Sequence, residues 1–205
     1  MVPGSSPGRL TETGSPPLTT LAAVLILIAF FALERVLRRG AEARSLVAGP
    51  FDRGTTRGIG AAFGLSILAV VLSPVLNALG IGALPEAIGW IGIALMLWGL
   101  ALRVWAARVL GAAYTRTLRI AERQLLVRAG PYRVIRHPGY TGDLMMWLGA
   151  GLATRNVVAV IAIVLLMASA YAARIEAEEA MLVDVFGDEY RAYSRHTWRL
   201  LPPLY

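Results

Sequence analysis

The stretch GPYRVIRHPGYTG places a histidine, a proline, a glycine and a tyrosine side by side at His137, Pro138, Gly139 and Tyr140. Further on, ARIEAEEAMLVDVFGDEYRAY sets Arg174 four residues before Glu178. In a helix that spacing stacks the two side chains on one face. A guanidinium offers two parallel donors that match a planar carboxylate, a geometry lysine cannot reproduce. Glu178 is suited to an ammonium or a diol, and the His137 ring and the tyrosine phenols add donors beside them. Taken singly, RHPG also suits a plain helix-starting turn, and Tyr132 and Tyr140 suit interfacial anchors. The chain has no cysteine, which removes disulfides, thiolate metal sites and a cysteine nucleophile. No metal ligands are assigned.

These groups stand beside apolar segments that must position them. The chain of 205 residues is 57% hydrophobic with a mean hydropathy of +0.61, well above a soluble domain. Set against the roughly 20 apolar residues of a bilayer crossing, spans fall at 18–37, 58–79 and 87–110. Two shorter runs, 140–153 and 157–173, separated only by TRN, read as one helical hairpin. Beyond Ala173 the same helix continues out of the membrane, with Met181, Leu182 and Val185 as an apolar stripe. Gly80, Gly82, Gly89 and Gly92 fit close helix packing or a turn.

The net charge of +7 is carried without a single lysine, and in a membrane protein it reports orientation and contact with anionic lipid rather than nucleic acid. Arginines crowd the connections between spans one and two and between spans three and four, while the second connection has none. The positive-inside bias then predicts five crossings, an outside N-terminus and a cytoplasmic C-terminus. Residues 1–17, rich in Pro, Gly, Ser and Thr, read as a disordered tail rather than a signal peptide. The organisation expected is therefore a tail at 1–17, three transmembrane helices at 18–110, and a catalytic region with hairpin and C-terminal helix at 111–205.

GPYRVIRHPGYTG, the short hairpin with an asparagine near its tip, RIEAEEAMLVDVFGDEYRAY and the closing LLPPLY occur in this order. Together, from about Leu110 onward, they resemble the isoprenylcysteine carboxyl methyltransferase family and its phospholipid N-methyltransferase relatives. The resemblance implies an all-α integral membrane protein of about five transmembrane helices, the last two a short hairpin, with a cytoplasmic pocket for S-adenosylmethionine. Carried over by position, it implies cofactor contacts at Gln124, Leu125, Leu126, Val127, Tyr132, His137, Pro138, Gly139, Tyr140 and Glu178. Thr117, in YTRTL, falls near a further contact. Arg174 would hold the methyl-accepting group, and Tyr140 would place its phenol beside the sulfonium. His137 and Arg136 both suit the cofactor carboxylate.

The sequence departs from the family at Ala177, which interrupts the acidic run, and at Val157, where a proline often follows the asparagine. A carboxylate acceptor is already the nucleophile and needs no base, whereas an amine would require Glu178 or His137 to take a proton. The resemblance therefore implies a lipid-like acceptor arriving from the bilayer, with carboxyl O-methylation ahead of phospholipid amine N-methylation. HPGYTGDLMMW also resembles the NADPH-dependent sterol reductases, which have more spans, and a lipid-headgroup-binding protein without catalysis is the third reading. His196, in a basic amphipathic tail, is expected at the surface or interface.

Overall fold

The computed structural model describes residues 16–38, 49–115, 117–118 and 125–203. Six α-helices account for most of them: α1 (Leu18–Leu37), α2 (Thr55–Ala78), α3 (Glu86–Leu110), α4 (Pro138–Ala153), α5 (Val157–Phe186) and α6 (Asp188–Arg195). Two 3-10 turns, Gly111–Ala113 and Gly130–Arg133, lie between α3 and α4. Among the described residues there is no sheet, only two isolated bridges. Helices are the structure that satisfies every backbone group inside a bilayer without outside partners.

Four helices, α1, α2, α3 and α5, are long and apolar enough to cross a membrane. The helix α4, at 16 residues, is shorter, and it pairs with α5 as the expected hairpin. Large apolar side chains such as Leu25, Val71, Trp98 and Leu165 are exposed on the outside, where lipid tails replace water. The core between the helices holds Phe30, Met96, Met146, Trp147, Ile163 and Met167.

Small residues decide how closely α3 and α4 approach. A Cβ on Gly92 would sit 2.5 Å from the carbonyl oxygen of Gly149, and one on Gly99 would sit 2.5 Å from that of Gly142. Both pairs recur seven residues apart on each helix, so two turns of backbone meet with no side chain between them.

The hairpin tip is tied down at the opposite end from the arginine-rich connections. Asn156 caps α5 by accepting from the Val158 and Ala159 amides at 3.0 and 3.2 Å. Its amide donates to Asn77 Oδ1 and to the Ile81 carbonyl at 2.9 and 2.7 Å. The Ile81 carbonyl lies in the α2–α3 turn, where Gly80 and Gly82 adopt φ of +71°. Asn156→Ala removes the cap and leaves buried partners unmet, a loss of about 1–3 kcal/mol. A thermal unfolding midpoint equal to wild type would refute this.

The C-terminal segment closes the other end. The Trp198 amide donates to the Val134 carbonyl, and the Arg136 and His137 amides donate back to Trp198 and Arg199. Thr141 Oγ1 adds a bond to the Leu200 carbonyl at 2.9 Å. Residues 197–200 thus strap the RHP segment just where Pro138 starts α4, a position at which its missing N–H costs nothing. His196 is exposed, as expected.

Candidate functional site

A cavity of about 630 Å³ lies between these helices, lined by residues of all six. That is the size of a small-molecule site. Each side chain facing it is set by an element already described. Glu34 and Arg38 come from the end of α1, Arg103 from α3, Tyr140 and Asp143 from α4, Arg174 and Glu178 from α5, and Tyr190 from α6.

Tyr140, Arg174 and Glu178 form one connected group. The Tyr140 hydroxyl donates to Glu178 and accepts from Arg174 Nε at 3.3 Å. Arg174 Nη1 reaches the start of α2, donating to Asp52 Oδ1 just before the helix at 2.8 Å and to the hydroxyls of Thr55 and Thr56 in its first turn at 3.0 and 3.1 Å. Asp52 in turn accepts from the Thr56 amide, so it holds the first turn of α2 while anchoring Arg174. Burial pushes the Asp52 carboxyl up, but its bonds from Thr56 and the Arg174 charge outweigh burial and hold it below its ordinary 3.8. Because the folded value is the lower one, the stabilisation is complete above 3.8 and is lost as pH falls below it. Thermal stability followed by circular dichroism should therefore fall more steeply between neutral pH and acid in wild type than in Asp52→Asn, which has no carboxylate to protonate; parallel pH profiles would contradict the anchor.

Arg136 and His137, both suited by sequence to a cofactor carboxylate, face Glu179 instead. Arg136 Nε donates to Glu179 Oε1 at 3.0 Å, and His137 Nε2 lies 3.2 Å from the same oxygen. Arg199 holds the other oxygen at 2.7 Å. Arg136 also donates to the carbonyls of Ser194 and Thr197, so its role here is to fasten the strap. The His137 ring stacks on Tyr140, with centroids 5.5 Å apart and an interplanar angle of 13°.

Thr117, Leu126, Val127, Tyr132, His137, Gly139, Tyr140 and Glu178 all line the cavity, together with Arg174. Pro138 is buried but does not line it, and its part is to start α4. Leu125 is 83% exposed and points away. Gln124 lies outside the described residues. Thr117 Oγ1 and the Tyr190 hydroxyl are buried in the wall with no hydrogen-bond partner among the described residues. Orphaned buried hydroxyls are rare and point to a missing ligand or water. Burial first, then the Glu178 charge, pushes the Tyr132 phenol up, so it stays a donor.

The deeper wall was not foreseen. Arg103 binds Glu34 with two donors, Nε at 2.8 Å and Nη2 at 3.2 Å, and its Nη1 meets Asp143 Oδ2 at 2.6 Å. Glu34 also accepts from the Tyr114 hydroxyl at 2.5 Å and pairs with Arg38. The signal available in the sequence was the presence of Glu34, Arg103 and Asp143 inside apolar runs, since ionisable groups at membrane depth are costly and kept for function.

The phospholipid methyltransferase family model matches residues 87–189, about half of the chain. A probable protein-S-isoprenylcysteine O-methyltransferase of Oryza sativa subsp. indica is 30% identical over 117 residues, 56% of this chain and 61% of that protein. The Dictyostelium discoideum protein-S-isoprenylcysteine O-methyltransferase is 28% identical over 118 residues, 57% of this chain and 50% of that one. The cobalt-zinc-cadmium resistance protein CzcN of Cupriavidus metallidurans is 31% identical over 117 residues, 57% of this chain and 49% of its own length. Matches to these relatives thus take in about half to three-fifths of their length. The solved structure of the eukaryotic intramembrane Ras methyltransferase ICMT (isoprenylcysteine carboxyl methyltransferase) aligns with a TM-score of 0.61 at 22% identity. It covers 88% of this chain and 63% of that one, a likeness of fold.

Proposed function

The chain belongs to the phospholipid methyltransferase family, and from that premise we propose that it transfers a methyl group from S-adenosylmethionine to a lipid-like carboxylate. The acceptor class we favour is an isoprenylcysteine, the substrate named in its relatives. The observation that carries the proposal is Arg174, buried at the cavity wall and fixed from α2 and Tyr140 one helical turn from Glu178.

In this reading Thr117, Tyr190 and Glu178 hold the polar parts of the cofactor, and Leu126 and Val127 flank its flat ring. When bound, S-adenosylmethionine supplies an electrophilic methyl on a sulfonium. Arg174 orients the acceptor carboxylate, whose own oxygen is the nucleophile, and the buried wall excludes water, so positioning supplies much of the rate. An amine acceptor would first have to lose a proton. The groups suited to take it are already engaged: Glu178 accepts from Tyr140, and His137 faces Glu179. That supports the carboxylate. The acceptor arrives from the bilayer, and the cofactor end faces the cytoplasm by the arginine bias of the connections.

Calorimetric titration of detergent-purified protein with S-adenosylhomocysteine tests the cofactor half of the proposal. Micromolar-scale binding is expected, weakened about 10- to 100-fold in Glu178→Ala, the range for one charge-assisted hydrogen bond. Thr117→Val should lose several-fold. A folded wild type that binds nothing overturns the reading.

A further inference from the structure

The strap at residues 197–200 closes one end of the bundle but leaves its own outer side apolar. Trp198 and Leu201 are 43% and 50% exposed, and Val134, whose carbonyl accepts from the Trp198 amide, is 52% exposed. The neighbouring helices give the depth of this cluster. A Cβ on Gly130 would sit 3.3 Å from Trp105 Nε1, and Arg103 Nη1 donates to the Gly139 carbonyl at 3.1 Å. The segment from Gly130 to Gly139 therefore runs beside the last two turns of α3. The Leu200 carbonyl accepts from Thr141, and Leu148, seven residues along the same stripe of α4, is exposed among the outward apolar side chains. The strap thus crosses α4 where its outer stripe begins, at the level where a spanning helix ends. An indole beside aliphatic side chains suits that level, the boundary between headgroups and hydrocarbon.

Charge points to one kind of surface. Around the strap Arg128 is matched by Glu189, Arg191 by Asp188, and Arg136 and Arg199 by Glu179. Arg133, next to Val134, and Arg195, three residues before Trp198, are exposed and have no carboxylate partner among the described residues. Two cations left over beside an interfacial tryptophan complement anionic headgroups. Backbone bonds carry this surface to the cavity. The Arg136 and His137 amides donate to the Trp198 and Arg199 carbonyls at 2.7 and 3.2 Å, and His137, Gly139 and Tyr140 line the cavity. Whatever presses the strap down holds that wall in place.

We propose that the strap is a docking element for an anionic leaflet. Trp198, Leu201 and Val134 enter the interface, Arg133 and Arg195 rest on lipid phosphates, and the docked strap holds the RHP segment closed over the cavity. The composition of the leaflet then sets how firmly the cavity wall is held. This goes beyond the methyl-transfer reading and does not depend on it.

Hydrogen exchange on the full chain in nanodiscs tests the coupling, with discs of phosphatidylcholine compared with discs containing about one third phosphatidylglycerol. Each arginine beside an anionic leaflet should favour the docked strap about fivefold. The amides of Arg136, His137 and Trp198 should then exchange roughly 10- to 30-fold more slowly in the anionic discs, with no change at the hairpin tip around Asn156. The double variant Arg133→Gln with Arg195→Gln should lose that difference and match wild type in neutral discs. Because the chain has no cysteine, Leu201→Cys carries a single fluorophore. In anionic discs that label should be quenched by lipids brominated on their acyl chains and resist acrylamide, whereas a label on Asp188→Cys, whose side chain is 97% exposed, should be quenched by acrylamide. Equal exchange of the strap amides in the two lipids, a lipid difference that persists in the folded double variant, or a Leu201→Cys label as open to acrylamide as the one at Asp188 overturns the proposal. If the double variant does not fold, the wild-type exchange and the two labels decide. None of these readouts involves the cofactor, so the methyltransferase reading stands or falls separately.

Discussion

Arg174→Ala should abolish methyl transfer, with a loss on the order of 10²- to 10³-fold in kcat/KM, as for removal of a preorganised donor to a reacting oxygen. The guanidinium is held by Asp52, Thr55, Thr56 and Tyr140, so on the proposed reading it would meet the acceptor without reorganising. The same contacts give the alanine variant a second cost. Asp52 is left buried without its cation, and breaking a buried pair typically costs about 3–5 kcal/mol. Arg174→Lys separates the two effects. An ammonium still neutralises Asp52, so the lysine variant should fold close to wild type, yet it cannot offer paired donors and should remain slow. Initial rates, S-adenosylhomocysteine titration and thermal unfolding on all three proteins check this. A lysine variant as fast as wild type would remove the case for bidentate clamping.

Gly99→Val should prevent the hairpin from seating. The new Cβ would lie 2.5 Å from the Gly142 carbonyl oxygen and 2.7 Å from the Met146 nitrogen, and neither backbone atom has room to move. Overpacking usually costs about 1–3 kcal/mol, and contact between two main chains belongs at or above the top of that range. Because α4 carries Tyr140 and Asp143, S-adenosylhomocysteine binding should be lost along with the fold. Gly64→Ala is the control: nothing lies within 4 Å of its Cβ, and replacing a helical glycine should stabilise by up to about 1 kcal/mol. Size-exclusion profiles and unfolding midpoints of the two variants should move in opposite directions. A monodisperse, wild-type-like Gly99→Val would show that the glycines are not what sets the α3–α4 distance.

Local pattern carried the helices well. The apolar run at 18–37 is α1 to the residue, and the runs at 58–79 and 87–110 match α2 and α3 within three residues at each end. Pro138 and Asn156 mark the starts of α4 and α5 because their chemistry acts on the adjoining turn. The arginine and glutamate at 174 and 178 share a wall as their spacing of four requires. What the sequence hid was partnership at a distance. Arg174 meets Asp52 across 122 residues, and Glu34 meets Arg103 across 69, while helical periodicity relates residues only a turn or two apart. Ala177, a departure from the resemblance, has a structural reason: it is 5% exposed and packed among Leu118 and Met181. A glutamate there would have been buried among apolar side chains.

The pairing of Glu34 with Arg38 bears on biosynthesis. During synthesis α1 emerges long before α3 and α5, so Glu34 meets the bilayer when Arg103 and Tyr114 have not yet been made. Arg38, one turn along the same helix, is the one cation of this network that leaves the ribosome together with it. An i, i+4 pair needs no other helix, so this pairing is open to Glu34 before the rest of the network exists. When α3 follows, Arg103 can take its place beside Glu34 without a bare charge having crossed the hydrocarbon, and the acidic wall of the cavity is finished only when α4 and α5 arrive. The chain thus supplies a local partner for its buried glutamate, and the polar wall of the cavity is among the last things it can assemble.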